Sequence, residues 1–220
     1  MRRLLRENGL SIAMFGLFFI FVAAQSVMGF LDYNSTEQEH GRPPVGYIAY
    51  LGSGDFVEAV FENWESEFLQ MGLYVVLTAF LVQRGSAESK DPEATHADDT
   101  DYSEDRHHAG TPWPVRKGGL ALKLYENSLS LALLSLFAVS FAMHALGGAD
   151  AYSQEQVEHG GRPVSVLGYL LTPRLWFESF QNWQSEFLAI GVMIVLSIYL
   201  RQKGSSQSKP VASPHSETGE

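Results

Sequence analysis

The chain carries one pattern twice. Residues 61–72 read F-E-N-W-E-S-E-F-L-Q-M-G and residues 180–191 read F-Q-N-W-Q-S-E-F-L-A-I-G, identical at eight of twelve positions with an offset of 119 residues. At the same offset Glu7-Asn8 matches Glu126-Asn127, Gln25 matches His144, His40-Gly41 matches His159-Gly160, and Tyr50-Leu51 matches Tyr169-Leu170. Arg42-Pro43 meets Arg162-Pro163 after one inserted residue, and Gln83-Arg84-Gly85-Ser86 meets Gln202-Lys203-Gly204-Ser205. Each copy has to make the same local structure, so one helix–loop–helix unit is drawn twice. The division is 1–86 for the first repeat, 87–114 for a linker, 115–205 for the second repeat and 206–220 for a tail.

The apolar runs say where such a unit sits. Leu10–Leu31 holds no ionisable group, and Ser128–Gly147 holds only His144. About 20 helical residues cross a hydrocarbon layer of about 30 Å, and both runs reach that length. Asn8 and Asn127 read as N-caps of these first helices. The second helix of each repeat is harder, because Phe68–Val82 and Phe187–Leu200 are short for a span. Each therefore starts upstream, at a cap by Asp55 or by Thr172 before Pro173. Phe56, Val57, Val60, Phe61, Trp64 and Phe68 fall on one side of such a helix, with Glu58, Glu62 and Glu65 opposite. Leu175, Trp176, Ser179, Phe180, Trp183 and Phe187 repeat the stripe, with Ser179 as its weak point. The expected fold class is an all-α membrane protein of four transmembrane helices in two parallel repeats.

Lys and Arg set the orientation. Twelve lie in residues 2–6, 84–123 and 201–209, around the linker and the two termini, and three (Arg42, Arg162, Arg174) lie in the remaining loops. Both termini are therefore expected in the cytoplasm. The N-terminus also imitates a signal peptide, with Val22-Ala23-Ala24 as the cleavage site. Retention is expected, since the equivalent segment lies mid-chain. The linker is acidic and poor in apolar groups and reads as a disordered tether, as does the tail. The net charge of −10 and the lack of a basic stripe exclude nucleic acid as a partner. There is no cysteine, so disulfides and thiolate chemistry are excluded.

Three sets of polar residues stand out. Asn63, Ser66 and Glu67, and their counterparts Asn182, Ser185 and Glu186, share a helical face. A carboxylate at membrane depth is a candidate cation or proton site, and otherwise a boundary residue bonded to a neighbour. His40 with Glu39, and His159 with Glu158, supply imidazole and carboxylate from each repeat, a divalent-metal set or else a solvated loop. Arg42 and Arg162 read as turn arginines paired with a nearby acid. Gln25 and His144 are aligned polar groups near the ends of the apolar runs, for a helix–helix hydrogen bond or a proton relay.

The E-N before the first helix, H-G-(x)-R-P in the loop and N-W-x-S-E-F-L opening the second helix resemble a family of uncharacterised bacterial membrane proteins defined as a domain of unknown function. The resemblance covers nearly all of the chain except linker and tail. It implies a multi-pass protein of the bacterial inner membrane and brings no catalytic residues. No cofactor is expected, and no nucleophile elbow, P-loop or dinucleotide loop is present. The expected function is a non-enzymatic envelope interaction or structural factor. The alternatives are a small cation or proton channel or carrier using Glu67 and Glu186, and a metal-dependent enzyme using His40 and His159. The lipid bilayer is the expected partner. A pore would require a homodimer, and a protein partner is not legible.

Overall fold

The computed structural model describes residues 2–91, 108 and 110–219. Most of the expected linker, 87–114, falls outside the described residues. Among those described the chain is all helical, with eight helices and no strand: α1 (Arg2–Glu39), α2 (Tyr47–Leu51), α3 (Gly54–Phe80), α4 (Trp113–Lys117), α5 (Gly119–Glu126), α6 (Ser128–Glu158), α7 (Val166–Leu170) and α8 (Pro173–Tyr199).

Two helices are long and apolar enough to cross a membrane, Arg6–Glu39 and Ser128–Glu158. Only 6% and 17% of their apolar stretches are buried, so neither resembles the core helix of a water-soluble protein. The expectation of four such helices is thereby corrected to two. The reason lies in α3 and α8, whose first halves carry acids and amides and leave too few consecutive apolar residues for an unaided span.

The helix ends follow the sequence with four adjustments. Asn8 interrupts α1 with a non-helical φ of −129° and ψ of 18°. Asn127 separates α5 from α6, but its side chain donates back to the Lys123 carbonyl and closes α5 instead of capping α6. The cap of α3 is Ser53, whose hydroxyl accepts from the Phe56 amide, and Asp55 sits in the first turn. Pro173 opens α8 as expected, while the Thr172 hydroxyl donates to the Tyr169 carbonyl.

The chain divides into two compact units that do not follow the sequence repeats: Met1–Phe61 with Met143–Leu175, and Glu62–Ala142 with Trp176–Glu220. In the first unit α3 crosses α6 glycine to glycine. A Cβ added at Gly54 would lie 2.6 Å from the Gly147 carbonyl oxygen, and one at Gly147 would lie 2.6 Å from the Glu58 amide nitrogen. The buried tyrosines of α2 and α7 repeat one contact: Tyr50 lies over Gly29 and Tyr169 over Gly148. The loops match as well. Asn34 holds Val45 by both its amide and its carbonyl, and Ser153 holds Val164 the same way.

In the second unit the tail expected to be disordered forms turns. Lys209 is 2% exposed, and its ammonium donates to the carbonyls of Pro214, His215 and Glu217. The Gly85 amide donates to the Thr218 hydroxyl, and the Gly219 amide to the Ser86 carbonyl. Composition alone missed this, because one lysine with three carbonyl acceptors orders a polar segment without an apolar core.

The glycine crossing gives a stability prediction. Replacing Gly147 with Val should lower the thermal unfolding midpoint of detergent-solubilised protein, in line with an overpacking penalty of about 1–3 kcal/mol. Gly16→Ala, where an added Cβ meets nothing within 4 Å, should leave it unchanged or raise it.

Candidate functional site

The H-G motif is first of all a helix terminator. Gly41 and Gly160 take left-handed φ values of 72° and 76°, where a residue without Cβ is favoured. The Arg42 amide then reaches the Glu37 carbonyl, and the Gly161 amide the Gln156 carbonyl, closing α1 and α6. His40 Nδ1 bonds the Thr36 carbonyl and His159 Nδ1 the Glu155 carbonyl, each at 2.8 Å. A carbonyl only accepts, so each Nδ1 carries a proton in this contact.

Next to these ends the first unit forms an open cavity of about 550 Å³. Six carboxylates line it: Asp32, Glu37, Asp55, Glu58, Glu155 and Glu158. His40, His159, Arg42 and Arg174 line it too, with Tyr33, Tyr50 and Tyr152 supplying aromatic wall. Arg42 donates to both Glu37 and Glu158, and so ties the end of α1 to the end of α6. Arg174 lies 3.8 Å from Glu155. The turn-arginine reading of Arg42 holds, with an acid from the other repeat as one partner.

Deeper in the same unit, the Tyr169 hydroxyl donates to Glu58 Oε1 at 3.0 Å. Tyr169 and His144 have no exposed surface, and a ligand nitrogen of His144 comes within 4.8 Å of a Glu58 carboxylate oxygen. Gln25 donates to the Ala59 carbonyl on α3, a helix–helix hydrogen bond.

The second unit holds a carboxylate that the sequence pattern placed on the wrong side. Glu65 has no exposed surface; the Ser179 hydroxyl donates to its Oε1 at 2.7 Å and the Trp183 indole N–H at 3.2 Å. Ser179, the weak point of the aromatic stripe, is fully buried, whereas Trp176 and Phe180 beside it are 38% and 56% exposed. The stripe on α8 therefore divides, with Trp176 and Phe180 outward and Leu175 and Ser179 buried.

The residues singled out by spacing fare unevenly. Ser66 is buried and donates to the Asn63 carbonyl, and Ser185 donates to the Asn182 carbonyl, so both hydroxyls serve their own helix. Glu67 is exposed and Glu186 half-buried. His40, His159 and Glu158 are brought to one cavity, with Glu39 exposed outside its lining. Among the described residues these four do not gather as three ligands within 4.8 Å of one another. Sequence reasoning missed Glu58 and Glu65. The available signal was the Gly54 and Gly147-Gly148 pairing, which fixes the face that α3 turns to α6.

The family model described as Domain of unknown function (DUF6766) matches residues 1–220. The chain belongs to that family. No curated protein matches it, and no solved structure does.

Two outcomes follow from this geometry. The hydrogen bond from Arg42, ahead of the surrounding charges, holds the Glu158 carboxyl below its ordinary 4.5. Glu158 lies beyond Gly147, where the apolar run ends. A carboxyl depressed in the fold contributes stability above its ordinary value and loses it as pH falls through the folded one. Glu158→Gln should therefore lower the thermal midpoint slightly at neutral pH, with the gap to wild type closing as pH drops below 4.5. The effect is small because the two side chains are 34% and 28% exposed and screened.

The second outcome concerns Glu65→Ala, which strips the acceptor from the Ser179 hydroxyl and the Trp183 indole. It should cost about 1–3 kcal/mol in denaturant or thermal unfolding. Glu67→Ala, at an exposed position, should stay within about 0.5 kcal/mol.

Proposed function

We propose that this is a non-enzymatic integral membrane protein that passes a proton or small cation along the carboxylate face of α3. The observation that carries the reading is Glu65, a carboxylate with no exposed surface held by a serine hydroxyl and an indole N–H. Ionisable groups held away from solvent in a membrane setting are functional candidates by default. Glu58, Glu62 and Glu65 stand at i, i+4 and i+7 of α3, so they share one face of one helix.

The setting inferred from sequence supports this reading. The Lys and Arg distribution favours a cytoplasmic N-terminus, linker and tail, and the motif resemblance implies a bacterial inner-membrane setting. A path walled by so few helices favours a homodimer.

The test is proton and cation flux in proteoliposomes under an imposed potential. Wild type should conduct above empty liposomes, and Glu65→Gln should reduce the flux at least tenfold. Glu67→Gln with Glu186→Gln should leave it intact. Loss only in that double variant moves the path to the Glu67/Glu186 pair. No flux in wild type overturns transport in favour of a structural role in the envelope.

A further inference from the structure

The cavity of the first unit is under-neutralised. Its wall carries six carboxylates against two guanidiniums. Both guanidiniums are committed, Arg42 to Glu37 and Glu158, and Arg174 to Glu155. Asp32 and Asp55 meet no cationic side chain among the described residues. Burial raises the Asp55 carboxyl above its ordinary value; a hydrogen bond to its own backbone opposes this, and the charges of Asp150, Glu37 and Glu158 add to the rise. Carboxylates that repel one another around a void favour a positive occupant.

The size and wall of the void select the kind of cation. A bare divalent ion draws several oxygen ligands to about 2.0–2.6 Å. The carboxylates and imidazoles of this cavity do not gather as three within 4.8 Å of one another. A volume of about 550 Å³ is instead that of a small-molecule site. Its aromatic side is continuous: the Tyr33 and Tyr50 rings lie 5.5 Å apart, and Tyr50 is in electrostatic reach of both Asp55 and Asp32. Aromatic faces beside carboxylates bind ammonium groups and pack against the methylenes that join them.

We propose that this cavity binds a small organic polycation of the polyamine class, with ammonium groups at Asp32 and Asp55 and a methylene chain along Tyr33 and Tyr50. The site goes beyond ion passage along α3 and does not rest on it. Binding is read in detergent, where no flux is measured.

The experiment is calorimetric titration of the full chain with spermidine at fixed ionic strength. Expected is one saturable site, weakened at least tenfold by Asp32→Asn and by Asp55→Asn and unchanged in Glu65→Gln. An equal concentration of Mg²⁺ should fail to displace it. Absence of saturable binding, full affinity in both aspartate variants, or displacement by equimolar Mg²⁺ would each overturn the proposal. If Asp55→Asn does not fold, Asp32→Asn at its exposed position decides alone. Retained spermidine binding without flux refutes ion passage and leaves this site standing; flux without binding does the reverse.

Discussion

The close crossing of α3 and α6 at Gly54 and Gly147 controls the site in the first unit. The two backbones are near enough that a Cβ on either glycine would collide with main-chain atoms of the other helix. That contact fixes the rotation of α3 about its own axis. Glu58 then has one place to go, under the Tyr169 hydroxyl and beside His144. In the second unit Glu65 is buried by a separate contact, with Ser179 and Trp183 as its donors.

The loop motifs serve this arrangement through backbone chemistry. Each H-G pair ends a helix with a left-handed glycine, and each histidine spends its Nδ1 proton on a carbonyl one turn earlier. Four carbonyls at a helix end lack intrahelical partners, and these contacts satisfy part of that need. Asn34 and Ser153 then pin the chain as it turns toward α2 and α7. What remains is asymmetric. Arg42 of the first repeat binds an acid from each copy. Duplication supplies the frame, and divergence at a few positions supplies the charge pattern.

The ends of α3 and α8 repeat a second frame. The Ser89 hydroxyl accepts from the Gln83 amide and the Ser208 hydroxyl from the Gln202 amide, while Gly85 and Gly204 share φ values near 85° and 84°. Lys209 is sequestered by three carbonyls of the tail, and Ser86 bonds Ser197 on α8. Hydrogen bonding to one ammonium and a few hydroxyls orders a segment whose composition reads as disordered.

Sequence alone determined that the chain is helical, that two runs can cross a membrane, and that the same turns occur twice. These are local properties: hydropathy, helix capping and glycine conformation act over a few residues and need no partner. Arg42 pairing with an acid was legible for the same reason, since Glu37 lies one turn away. The sidedness of α3 was not legible. The aromatic stripe of Phe56, Phe61 and Trp64 and the carboxylates Glu58, Glu62 and Glu65 each define a clean face, and a lone helix gives no rule for which face turns inward. Tertiary structure decided it through the glycine crossing and through Ser179 and Trp183, which offer Glu65 its donors across more than a hundred residues of chain. Periodicity identifies faces; only a packed neighbour decides whether lipid, water or protein covers each one.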